Sequence, residues 1–279
     1  MVRVGDTAVV CGVRGEILLA SDIPQPPLPP SGHDGEESEG NELAELGLLV
    51  PNLELATGCS PAHLPGNPPS VLAQSLTQRI LTLLHTARLI GLEDLRIWHQ
   101  PPDTATDGED DEPHKPVVKA YWTLYIDILF ISLDGNPFDA AWGAVMAALR
   151  DTLLPHAWWD IDRAAILCDD AVSKARKLSL RAWPVASTFA VFEPRAQLGI
   201  GAAKDKGREK KAWVLADPDS FEEGLCRETV TVVVDVEGGR TKILAVEKVG
   251  GGVVGVAEMR TIFGMAEARW REWKGVLGS

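Results

Sequence analysis

VVKAYWTLYIDILFISLDGNPFDAAWGAVMAALRDTLLP, residues Val117–Pro155, divides at a single turn. Its first half is dense in β-branched, aromatic and aliphatic residues: Tyr121, Trp122, Leu124, Tyr125, Ile126, Ile128, Leu129, Phe130 and Ile131. That composition predicts a long buried strand. Asp134-Gly135-Asn136-Pro137 predicts a turn, since Gly and Asn tolerate unusual φ and Pro suits the start of a helix. Ala140, Ala141, Ala144, Val145, Ala147, Ala148 and Leu149 put small or apolar groups on nearly every face of the second half, which predicts a buried helix. A buried strand feeding a buried helix is the centre of a domain. The turn between them gathers backbone N–H groups at a helix N-terminus, where anions bind.

Outward from this centre the pattern is mixed. Residues 5–20 predict a strand, a turn near Arg14-Gly15 and a second strand. Residues 48–56 predict a strand in which Pro51 marks an edge or a bulge. A helix runs from Pro69-Ser70 to about Ile90, with Val71, Leu72, Leu76, Ile80, Leu83, Leu84 and Ala87 on its inner face. A short strand comes after Glu93-Asp94, and Ala164 to Leu180 fits a helix with Lys174, Arg176 and Lys177 near its end. Pro184–Phe192 and the stretch ending at Val214-Leu215-Ala216-Asp217-Pro218 predict strands. Thr229–Val236 and Lys242–Glu247 predict a hairpin, and residues 256–277 an amphipathic helix. Gly250-Gly251-Gly252 reads as a flexible break. It lacks the strand–GxGxxG–helix context of a dinucleotide site. The whole is expected to be one domain over residues 1–279 with a weak internal echo.

The chain of 279 residues carries a net charge of −13, and the location of that charge matters more than its size. Asp34, Glu36, Glu37, Glu39, Glu42 and Glu45 form one acidic run, and Asp103, Asp107, Glu109, Asp110, Asp111 and Glu112 another. Without these two runs the body is nearly neutral, so acidity does not exclude an RNA-facing role. Low apolar content in residues 21–46 and 101–115 predicts disordered inserts. A basic loop near 199–211 holds Lys204, Lys206, Arg208, Lys210 and Lys211. No run of about 18 apolar residues is present, so no membrane contact is expected. Scattered Cys11, Cys59, Cys168 and Cys226 fit free buried thiols in a reducing compartment rather than zinc or disulfides.

The central stretch resembles the RNase PH family, the phosphate-dependent 3′ exoribonucleases. Active members carry Asp-Gly-Gly-Thr-Arg at the turn, and the aligned residues here are Asp134, Gly135, Asn136, Pro137 and Phe138. The Asp-Gly-Asn form with Asp139-Ala140-Ala141 after it is similar to the non-catalytic class that builds the ring of the RNA exosome. Gly5-Asp6-Thr7, Pro184-Val185-Ala186 through Phe192, and Asp217-Pro218 with Glu222-Glu223 resemble further family segments. Within that class the chain is most similar to the component-eight branch. Family members normally have a helix and a strand ahead of Gly5, where this sequence has Val2-Arg3-Val4. The resemblance implies an α+β fold of mixed sheets with packed helices, of the RNase PH-like (ribosomal protein S5 domain 2-like) type.

The resemblance also implies a degenerate catalytic site. In active relatives Thr-Arg of the turn holds phosphate, whereas Pro137 has no N–H and Phe138 no charge. The two aspartates of active relatives align with Glu223 and Thr229, and Thr229 is no carboxylate. A loop rich in arginine in active relatives is here TGCSPAHLPGNPPS, residues 57–70, without Arg or Lys. No catalytic residue, cofactor or metal is therefore expected. Arg79, Lys119 and the five basic-loop cations are the candidate RNA contacts, with solvated surface as the competing and simpler reading for Arg79 and for the loop. The implied partners are other RNase PH-like ring subunits, S1/KH cap subunits, RNA through the assembled channel and a catalytic nuclease, in nucleus, nucleolus and cytoplasm. The rival is a 3′ exoribonuclease, phosphorolytic or metal-dependent, built on Asp217 and Glu223 with Asp134 and Asp139. Turn and helix-cap roles are the simpler assignment for Asp134 and Asp139.

Overall fold

A computed structural model describes residues 1–24, 36–64, 68, 70–101, 116–192 and 212–277. In chain order the elements are β1 (Val2–Val4), β2 (Thr7–Leu19), α1 (Glu36–Glu45), β3 (Leu49–Leu55), α2 (Val71–Ala87), α3 (Leu92–Leu95), β4 (Arg96–His99), β5 (Val117–Ser132) and α4 (Pro137–Asp151). They continue with β6 (Leu153–Leu154), β7 (Ala157–Asp160), β8 (Ala165–Cys168), β9 (Arg176–Lys177), β10 (Val185–Phe192), β11 (Trp213–Ala216), α5 (Ser220–Leu225), β12 (Glu228–Glu237), β13 (Arg240–Val249) and α6 (Val256–Leu277).

The long strand, turn and buried helix are present, and they hold two sheets together. β5 runs antiparallel to β2 on one side, and on the other pairs parallel with β3 and antiparallel with β4. The second sheet is antiparallel in the order β11-β10-β12-β13. α4 lies against β2 and β10, one strand from each sheet, so its side chains are buried all round: Phe138, Trp142, Val145, Met146 and Leu149 among them. Gly143 lets α6 come close, because a Cβ there would strike the Trp273 ring. α6 buries Ile262, Ala266 and Trp270 against the second sheet, at the spacing of one helical face. This is the α+β arrangement expected.

Several expectations need correction. Residues 7–19 form one strand, not a hairpin at Arg14-Gly15. Gly15 sits in mid-strand opposite Leu124, and its missing side chain leaves room for Trp122 and Leu154. The turn lies earlier, at Gly5, whose φ is +57°. β5 is buried on both faces at Ala120–Trp122 and on one face only beyond them. Leu124, Ile126, Ile128 and Phe130 point inward, while Leu129 and Ile131 face out. In α2, Val71 and Leu72 are exposed because they occupy the first turn, ahead of the face that packs. Ser70 caps that helix through Ala73 N at 3.2 Å.

Within the first expected insert, Glu36–Glu45 form α1, where Leu43 enters the core and buried Glu42 accepts from Arg96 Nη2 at 2.8 Å and Tyr121 Oη at 3.1 Å. Residues 164–180 are not helical. Ala164, with φ +48°, turns the β7–β8 hairpin, and a short 3₁₀ turn and β9 come after it. The glycine run is no free break: Gly252 N donates to buried Glu228, which also pairs with Lys248 at 2.6 Å. The four cysteines are free but not all buried as expected: Cys59 is, Cys11 and Cys226 are partly so, and Cys168 is exposed at the end of the β7–β8 hairpin. The second acidic run and the basic loop lie outside the described residues.

Candidate functional site

The site forms where β5 ends and α4 begins. Gly135 and Asn136 take successive left-handed conformations, with φ +81° and +42°. Glycine is required at the first for a second reason, since a Cβ would collide with the backbone of Pro218 and Asp219. Asn is among the few other residues that enter this region at low cost. Thr7 pins the turn from β2: its hydroxyl donates to Gly135 O at 2.7 Å and accepts from Asp134 N at 2.8 Å. Pro137 is the first helical residue, where the missing N–H costs nothing to the helix.

Asn136 precedes α4 but does not cap it with its own side chain. Its backbone N–H donates to Glu223 Oε1 at 2.8 Å, a carboxylate that arrives from α5. Its amide Nδ2 instead donates to Asp139 Oδ2 at 2.8 Å and to Asp217 Oδ1 at 2.5 Å. Asp139 is therefore not the helix cap that the sequence suggested. It is fully buried and accepts from Thr188 N and Thr188 Oγ1, each at 2.8 Å. Its charge is matched by Arg269 of α6 at 3.1 Å, whose other arm lies 3.8 Å from Asp217. An aspartate inside a helix can be this deeply buried only because four donor groups meet it.

Phe138 is buried as core, with the guanidinium of Arg79 lying 4.0 Å over its ring. Arg79 is not simple solvated surface: it pairs with Glu247 at 2.7 Å and donates to Thr231 Oγ1 at 3.3 Å. α5 holds Glu223 in place through a capping box, in which Asp219 accepts from Glu222 N at 2.8 Å and Glu222 from Asp219 N at 3.0 Å. Burial pushes the Glu223 carboxyl above the usual range. The Asn136 N–H opposes this, and Asp139, Asp219 and Asp134 add to the rise.

Asn136, Pro137, Phe138, Glu223 and Thr229 thus come together in one cleft of ≈ 500 Å³, with Ser60 and His63 on another part of its wall. Arg79 also lines it. Lys119 does not approach it: that side chain lies at the other end of β5, 5.2 Å over the Trp159 ring. The carboxylates of the rival reading are separately engaged. Asp217 and Asp139 meet Asn136 and Arg269, Glu223 meets the Asn136 N–H, and Asp134 accepts from Ser220 Oγ. Among the described residues no three His, Cys, Asp or Glu side chains gather as metal ligands. Thr188 and Arg269 shape the site without having been singled out from sequence, and Thr7 stood only within the Gly5-Asp6-Thr7 segment, with no role assigned. The signal available for Thr188 and Arg269 was Asp139 itself, a charge in an apolar helix that demands distant partners.

Residues 1–155 match the 3′ exoribonuclease family, domain 1. Exosome complex component rrp43 of Schizosaccharomyces pombe is 30% identical over 251 residues, which cover 90% of this chain and 70% of that protein. Exosome complex component Rrp42 of Methanothermobacter thermautotrophicus is 26% identical over 251 residues, 90% and 69% of the two chains. A chain in the solved Archaeoglobus fulgidus exosome with RNA bound to the active site aligns with 98% of this chain and 80% of its own length, at a TM-score of 0.60 and 21% identity. That last likeness concerns the fold.

Proposed function

This chain belongs to the 3′ exoribonuclease (RNase PH) family, and from that premise we propose that it serves as a non-catalytic ring subunit of an RNA exosome. Its similarity to exosome components extends over nine-tenths of its length, at 90% coverage for both rrp43 and Rrp42. The observation that carries the non-catalytic reading is Phe138. At the position where active relatives place the phosphate-binding arginine, a buried aromatic packs beneath Arg79. Phosphorolysis needs preorganised donors and charge at the phosphate and a group to handle protons. Pro137 supplies no N–H and Phe138 no charge there, and Thr229 replaces one of the two carboxylates.

In this role the chain completes a ring with other RNase PH-like subunits beneath S1/KH caps. RNA passes through the channel to a nuclease elsewhere in the assembly, in nucleus, nucleolus and cytoplasm. Co-expression with a second RNase PH-like ring chain, with native mass spectrometry of the product, tests the assignment. A stoichiometric complex is expected. A chain that stays monomeric in the presence of every ring partner would overturn it.

A further inference from the structure

α4 is a helix of 15 residues, and the N–H groups at such a terminus attract anions. The anion seated there belongs to the chain itself. Glu223 arrives from α5, and its Oε1 accepts from Asn136 N at 2.8 Å. The arginine in the wall of the same cleft is occupied in the same way. Arg79 pairs with Glu247 of β13 at 2.7 Å while lying flat on Phe138. Two groups suited to hold a phosphate, one backbone N–H and one guanidinium, are thus each matched to an internal carboxylate.

We infer that Glu223, backed by Glu247, is a specificity-determining group that keeps phosphate, free or within an RNA phosphodiester, out of this cleft. An entering phosphate finds the Asn136 N–H taken and meets Glu223, Asp134 and Asp219 on one side of the turn. Like charges at such separations repel, most strongly where water is partly excluded. The inference deepens the non-catalytic reading and rests on it for the choice of ligand. Losing the family's arginine removes an attraction, whereas seating Glu223 adds an exclusion.

Glu223 is separable from folding. The cap of α5 is made by Asp219 and Glu222, so Glu223→Ala vacates the seat without removing that cap. Glu223→Gln keeps the seat filled and removes only the charge. The experiment titrates the full chain with inorganic phosphate, and in a separate arm with a short single-stranded RNA, by calorimetry. It compares wild type, Glu223→Ala, Glu223→Gln and Glu223→Ala/Glu247→Ala, each first checked for native circular dichroism. Glu223→Ala is expected to gain phosphate affinity on the order of tenfold over wild type, the scale of a helix-terminus interaction in a partly buried site. The double variant is expected to gain more.

A gain in the RNA arm as well extends the exclusion to phosphodiesters, and a gain confined to the first arm limits it to the free anion. Wild type binding phosphate as tightly as Glu223→Ala, or a folded Glu223→Ala that binds none, would overturn the inference. Should the alanine chain not fold, Glu223→Gln decides by the same comparison. None of these outcomes bears on ring assembly, so failure here is distinguishable from failure of the ring assignment.

Discussion

Asp139 shows most sharply what a single residue does in this fold. It is fully buried, tied to Thr188, Asn136 and Arg269, and so joins α4, β10 and α6. Asp139→Ala is expected to destabilise the chain by about 3–5 kcal/mol, because it leaves the largely buried Arg269 guanidinium with only Asp217 and strands the buried Thr188 donors. Urea unfolding reads this directly, and a loss below about 1 kcal/mol would show that Arg269 finds water instead. Glu223 behaves in the opposite sense. Its folded carboxyl titrates above the unfolded range, so the folded state binds the extra proton there. Stability is then lost as pH rises from the ordinary glutamate range through the raised folded value. Glu223→Gln is expected to be more stable than wild type at pH 7, with the difference vanishing below the ordinary glutamate range. Thermal melts against pH check it, and a gap that widens on acidification would contradict the assignment. Phe138→Arg would set a second guanidinium beside Arg79 in the core. The loss is expected to reach about 3 kcal/mol or more, the value for removing a buried aromatic alone.

At the scale of elements, α1 depends on contacts distant in sequence. Glu42 joins it to β4 through Arg96 and to β5 through Tyr121. Glu42→Ala is expected to release this helix, so that a glutamate-specific protease cuts within Glu36–Glu45 before the rest of the chain. Unchanged protection there would mean that Leu43 and the Glu39–Arg181 pair suffice to anchor it. This element also explains why some of the fold was legible in sequence and some was not. The β5–turn–α4 unit, β10, the β12–β13 hairpin and α6 carry their own signals, namely apolar runs, turn residues and helical spacing. The sequence of α1 reads as solvated and acidic, and distant partners hold it in place: Arg96 and Tyr121 on Glu42, Arg181 on Glu39, and the core around Leu43. Residues 164–180 mislead in the other direction. Their alanines and lysines suit a helix locally, but the left-handed turn at Ala164 and the pairing of β7 with β8 prevail. In the site, the positions flagged by resemblance did converge. The interaction of Asn136 N–H with Glu223 and the Arg269–Asp139 pair were not legible, because each spans a separation that no local pattern encodes.

At the scale of the molecule, two sheets share the buried helix α4, and one cleft at its start holds Asn136, Pro137, Phe138, Glu223 and Thr229. On the non-catalytic reading this cleft performs no phosphorolysis, since the charge, one donor and one carboxylate are replaced at separate points. Catalytic groups act as a unit, so repairing one does not restore the rest. The most direct test is release of nucleoside diphosphates from single-stranded RNA by the purified chain, with and without inorganic phosphate. None is expected from wild type or from Phe138→Arg; phosphate-dependent shortening by wild type that disappears in Glu223→Ala would contradict that reading.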